Sequence, residues 1–168
     1  MPAEDEKPLL LVDVDGVLNP YPHCPDGFTE HDFFPEDDEP VRLAAVHGEW
    51  LHELALLFRL VWATGWGQEA NRLLCPHFGL PQLAAVAFPP VPFDPSGKVP
   101  AIDSFVGAHP VAWIDDIVTV EARRWAEERP HPTLLVEVDP SSGLTRSSVD
   151  ELLLWAAALD RGVSKTGG

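Results

Sequence analysis

Positive charge is scarce in this sequence. Eleven Lys and Arg stand against 27 Asp and Glu in 168 residues, a formal net charge of −16 at pH 7. A surface of that sign repels polyphosphate backbones and anionic bilayers, so it argues against a nucleic-acid partner and against membrane association. It leaves room for a phosphate held locally around a metal. Cysteine is scarce as well. Cys24 and Cys75 lie far apart without Cys-x-x-Cys spacing, which suits two thiols in a reducing cytoplasm. A bilayer-length apolar run is missing too: the most apolar stretch, Leu51 to Ala63, carries His52, Glu53 and Arg59 and is too short. No basic segment followed by an apolar core opens the chain. The expectation is a cytoplasmic protein with no membrane partner.

Proline, in contrast, is plentiful, with 18 residues at about twice average usage, mostly between elements as in Pro20-Tyr21-Pro22 and Pro130-His131-Pro132. The length fits a single domain over 1–168 with a sizeable core. Residues 1–7 are polar and acidic and read as a frayed start, and 162–168 as a small, polar, disordered tail.

The organising stretch is Leu9-Leu10-Leu11-Val12-Asp13-Val14-Asp15-Gly16. An unbroken apolar run predicts a strand buried on both faces, and two carboxylates mark its end. Residues 19–47 hold five prolines and seven acids, and no Lys or Arg occurs between Lys7 and Arg42. They read as an irregular flap, with room for a short hairpin, standing over the end of that strand. Further on, the pattern predicts a helix over 48–58, a strand over 59–63, a helix over 68–74 stopped by Pro76 and Gly79, and a short strand over 83–88. Then come a helix over 98–106, a strand over 111–114 ending in Asp115-Asp116, a helix over 119–128, a strand over 133–138 and a closing helix over 148–159. Strands alternating with helices at this spacing predict a doubly wound, Rossmann-like α/β fold: a five-stranded parallel sheet with helices on both faces.

On that scaffold Asp13 and Asp15 follow the first strand and Thr64 the second. Lys98 opens a helix, and Asp115 and Asp116 follow the fourth strand, so all six fall at one edge of the sheet. Four acids together repel one another unless a cation neutralises them, and all-oxygen ligands suit Mg²⁺. Thr64 and Lys98 then imply an anion opposite the metal. Any one of these residues alone reads equally well as a turn or cap; the ordered set does not.

Asp-Val-Asp-Gly-Val-Leu, Ala-Thr-Gly around Thr64, Lys98 and Ile-Asp-Asp resemble, in order, the four motifs of the haloacid dehalogenase-like (HAD) phosphohydrolases. The resemblance runs from Leu9 to about Asp116. It implies that Asp13 is a nucleophile forming an aspartyl-phosphate and that Asp15 is the acid and base. Thr64 and Lys98 would hold phosphoryl oxygens. Mg²⁺ would be bound by Asp13, the Asp15 carbonyl and one of Asp115 and Asp116, with the choice between the pair left open. Apart from the resemblance, Gly65 and Trp66 follow Thr64 directly and are read as substrate-binding, Trp66 either lining the substrate entrance or packing against the fold. The gaps of 48 residues from Asp15 to Thr64 and 33 from Thr64 to Lys98 are consumed by elements of the fold, which points to a capless member. An open site suits a large phosphorylated substrate, or a second copy of the chain that completes the site. The expected activity is Mg²⁺-dependent phosphomonoester hydrolysis. The alternatives are a phosphate-sensing or binding module with little turnover, and a polynucleotide-end phosphatase.

Overall fold

The computed structural model describes residues 3–89 and 94–166, with side chains through Gly162. In chain order the elements are β1 (Leu9–Val12), β2 (Thr29–His31), β3 (Val41–Leu43), α1 (Ala45–Leu54), β4 (Arg59–Trp62), α2 (Gln68–Phe78) and β5 (Ala84–Ala85). They continue as α3 (Lys98–Val106), β6 (Val111–Asp115), α4 (Val120–Glu128), β7 (Thr133–Glu137) and α5 (Arg146–Thr166). Five strands form one parallel sheet in the order β5-β4-β1-β6-β7.

The central place of β1 follows from its sequence. Its register sets Leu10 between Leu60 and Ala112, and Val12 between Trp62 and Ile114. Side chains alternate across a strand, so these six face one layer. They pack there with Leu51 and Leu54 of α1, Leu74 and Phe78 of α2, and Leu152 of α5. Leu9, Leu11, Val61, Val111 and Trp113 face the other way, onto Ile102 and Val106 of α3 and Ala122 of α4. A strand covered on both sides needs apolar residues at every position, which is why Leu9-Leu10-Leu11-Val12 shows no alternation. The doubly wound α/β architecture is the one the sequence implies. The insertion after β1 is a small antiparallel hairpin, β2 with β3, and no separate cap is evident among the described residues.

Several boundaries differ from the sequence reading, each for a local reason. The flap closes at Ala44, because α1 begins at Ala45 rather than in the Gly48 region. Pro76 does not stop α2; it lies inside the helix, which ends at Gly79 in the left-handed region with φ 68°. Pairing of the third parallel strand shrinks to Ala84–Ala85, with one further bond from Val86 N to Trp62 O at 2.9 Å. The acidic start is a short 3₁₀ turn over Glu4–Glu6, secured where Lys7 Nζ donates to Ala55 O at 3.1 Å. Of the tail expected over 162–168, residues 162–166 continue α5, a single helical glycine weakening a helix by only about 1 kcal/mol, and 167–168 lie outside the described residues.

Candidate active site

Three neighbouring strands deliver their last residues to one place. Asp13 N donates to Ile114 O at 3.2 Å and Ala63 N to Val12 O at 2.8 Å, so pairing persists up to Asp13 and Ala63, the residue before Thr64. Asp115 closes β6 beside them. Lys98, the first residue of α3, enters from the other side. A lysine in a helix's first turn opposes the dipole, and its partners supply the compensation. Its Nζ stands 2.8 Å from Asp115 Oδ2 and 3.5 Å from Asp13 Oδ2, and donates to Ala63 O at 3.4 Å. All four side chains are buried, with Asp13 6%, Thr64 2%, Lys98 4% and Asp115 2% exposed.

Asp116 joins them from the next position. Oxygens of Asp13, Asp115 and Asp116 lie within 4.8 Å of one another. Asp115 uses both of its oxygens on protein donors, Oδ1 accepting from Ile117 N at 3.0 Å and Oδ2 from Lys98. Asp116 accepts at Oδ2 from the Tyr21 hydroxyl at 2.6 Å. Gly16, at φ +81°, makes this approach feasible, since a methyl group there would overlap the Asp116 carboxylate.

Burial holds the Asp13 carboxyl well above the usual range. Asp115 and Asp116 add to that, while Lys98 and the Val14 N–H pull the other way. Asp116 is also raised, chiefly by burial and then by Asp115, against the Tyr21 hydrogen bond. For Lys98 burial works to lower the ammonium's pKa, but Asp13 and Asp115 together outweigh it and the net shift is upward. The Tyr21 hydroxyl is pushed up by its bond to Asp116 and then by burial. Three carboxylates thus meet one ammonium, and an all-oxygen donor set of this kind fits a hard divalent cation.

Asp15 differs from Asp13 in standing exposed at the rim. Asn19 Nδ2 donates to its Oδ1 at 2.9 Å and Trp66 Nε1 to its Oδ2 at 3.2 Å. Thr64 Oγ1 accepts from Trp66 N at 3.2 Å. Every residue singled out from the sequence, namely Asp13, Asp15, Thr64, Gly65, Trp66, Lys98, Asp115 and Asp116, lines one cleft of about 770 Å³. Phe88, Pro89, Pro95 and Ile117 form its apolar wall. Sequence reasoning missed Tyr21 and gave Asn19 no role. No periodicity marks either, and Tyr21 meets Asp116 across 95 positions.

Residues 9–149 match the family described as the HAD domain in Swiss Army Knife RNA repair proteins. The chain belongs to that family. Searches among curated proteins and among solved structures return no match. The matched span contains the whole parallel sheet and every acid of the cleft. A HAD domain points to phosphatase-type hydrolysis as the class of chemistry, and the cluster of Asp13, Asp115 and Asp116 is compatible with the Mg²⁺ that HAD domains generally use. Among the described residues, no helix of this HAD domain is long and apolar enough to cross a membrane.

Proposed function

We propose that this HAD domain is a Mg²⁺-dependent phosphomonoester hydrolase that carries the phosphoryl group on Asp13. One observation supports it above the others: Asp13 is buried between a lysine and two further carboxylates, in a cleft shared with Thr64 and Asp15. A carboxylate so placed is poised for in-line attack on phosphorus. As the bond from phosphorus to the ester oxygen breaks, Asp15 gives that oxygen a proton. Asp15 then takes a proton from water, which attacks the aspartyl-phosphate, releases inorganic phosphate and restores Asp13. Thr64 Oγ1 and Lys98 Nζ hold phosphoryl oxygens, and Lys98 also shields Asp13 from Asp115.

Asp13, Asp116 and the Asp15 main-chain carbonyl would hold the metal. Asp116 is favoured over Asp115 because both Asp115 oxygens already serve protein donors. When bound, Mg²⁺ would neutralise the carboxylates and offset the charge developing on the transferring phosphoryl group. The test is turnover of p-nitrophenyl phosphate with Mg²⁺: activity in the parent and background rates in Asp13→Asn are expected, whereas equal rates in the two would contradict the mechanism.

The family description supports a second reading of the substrate, a phosphate at the end of a polynucleotide. The open cleft and the indole of Trp66 at its rim suit a chain end better than an interior phosphate. Comparing kcat/KM for an end-phosphorylated oligonucleotide with that for a small phosphate ester decides it. A preference for the oligonucleotide supports this reading, and a preference for the small ester removes it.

A further inference from the structure

We propose that Asn19 and Trp66 are positioning residues for Asp15, and that through them the β2–β3 hairpin sets the proton transfer to the leaving group. The inference rests on the phosphatase reading and extends it to residues that touch neither phosphorus nor metal.

The Asp15 carboxylate is suspended between two donors, one on each oxygen. Asn19 cannot turn its amide around. Arg42 N–H donates to Asn19 Oδ1 at 2.7 Å, so the amide oxygen faces β3 and the NH₂ faces Asp15, where it donates at 2.9 Å. Its backbone is equally fixed, Asn19 N donating to Val14 O at 3.0 Å and Asn19 O accepting from Gly16 N at 2.8 Å. On the other side, the indole N–H of Trp66 points at Asp15 Oδ2 rather than into solvent. The indole is braced by the edge of Phe34, with ring centroids 5.0 Å apart at 80°. Arg42 belongs to β3, and Phe34 to the β2–β3 connection. Both supports of an otherwise exposed carboxyl group thus lead back to the hairpin.

The chemistry gives this arrangement a purpose. When the ester bond to phosphorus breaks, the leaving oxygen takes the Asp15 proton and the electron pair of the O–H bond stays on the carboxylate. Two N–H donors are already in place to meet the charge that appears there. Their bonds strengthen as the proton moves, so they favour the transition state over the ground state. Leaving groups that depart as alkoxides need that proton. A p-nitrophenolate is stable enough to depart without it.

The test measures kcat/KM, which reports the steps through release of the alcohol and not the later hydrolysis of the aspartyl-phosphate in which Asp15 is the base, for ethyl phosphate and for p-nitrophenyl phosphate, with Mg²⁺, in Asn19→Ala and Trp66→Phe. Trp66→Phe keeps a ring against Phe34 and removes the N–H, so at least one variant retains the local packing. Each is expected to lose roughly tenfold to a hundredfold on ethyl phosphate and less than about threefold on p-nitrophenyl phosphate. Placed in an Asp15→Asn background, neither substitution should lower the ethyl phosphate rate further, since both act through Asp15. Phe34→Ala should give the same ester-dependent pattern at smaller amplitude. Equal losses on the two esters, or additive losses in the Asp15→Asn background, would overturn the positioning role. A Phe34→Ala variant without ester dependence would overturn the link to the hairpin. Failure of the phosphatase reading looks different: the parent protein then turns over neither ester.

Discussion

Two adjacent aspartates at the end of β6 are held differently. Asp115 is the structural partner of Lys98, held by Lys98 and by the Ile117 N–H, whereas Asp116 is steered by Tyr21 and meets Gly16. Removing the Asp115 charge leaves a buried ammonium short of its nearest partner, so Asp115→Asn should destabilise the metal-free protein by about 2–4 kcal/mol. Asp116→Asn should do the opposite, relieving like-charge repulsion and raising metal-free stability by up to about 1 kcal/mol. The same change should abolish the stabilisation that Mg²⁺ gives the parent, which by mass action is about 2.7 kcal/mol at a hundredfold excess over Kd. Thermal melts with Mg²⁺ and with a chelator read all of these. At Gly16 a side chain is excluded twice over, by the positive φ and by the carboxylate of Asp116. Gly16→Ala should therefore cost about 1–3 kcal/mol and weaken the Mg²⁺-dependent melting shift.

Between elements, a few buried polar groups do the fastening. Asn71 Oδ1 accepts from Trp62 Nε1 at 3.0 Å and from Leu83 N at 2.8 Å, and its amide donates to Gln68 Oε1 and to Leu83 O at 2.8 Å each. It ties α2 to β4 and to the approach of β5. Asn71→Leu would orphan several buried groups at once and should lower stability by about 2–4 kcal/mol, measurable by urea unfolding. His47 ties α1 to the segment before α5, its Nε2 donating to Leu144 O at 2.9 Å. Burial lowers its pKa from the ordinary histidine value, with the Leu144 bond opposing. The unfolded chain therefore takes up this proton first. The contribution is complete above about pH 6.5 and is lost as pH falls through the lower folded value. Melts between pH 7.5 and 5 should show the parent losing more stability than His47→Gln, and parallel curves would contradict the assignment. The strands were legible because burial on two faces writes itself into four consecutive apolar residues, and the site because acids ending apolar runs are conspicuous. The positions of Pro76, Tyr21 and Asn19 were not, since each is settled by contacts distant in the chain or by a cap that outweighs local preference. The short pairing of β5 was obscured in the same way, as Ala84 and Ala85 pair only with the edge of β4.

Over the whole molecule, an open sheet edge with no separate cap lies within a strongly negative field. The charge of −16 should repel the phosphates of a long oligonucleotide, so its KM should fall as salt rises, opposite to the behaviour of a basic nucleic-acid-binding protein. A short phosphate ester should show a much weaker salt dependence. Of the 27 acids, Asp13, Asp15, Asp115 and Asp116 line the cleft, and the fold tolerates the buried Asp13 and Asp115 because Lys98 and the strand-end backbone stabilise them. The measurement that tests the account most directly is mass analysis of Asp15→Asn after acid quench during turnover of p-nitrophenyl phosphate with Mg²⁺. That ester departs without an acid, and with no base to activate water the phosphoryl group should remain on the protein. The account predicts one phosphoryl group on the peptide that contains Asp13. Release of p-nitrophenol with that peptide unmodified, or with the group on another residue, would contradict it.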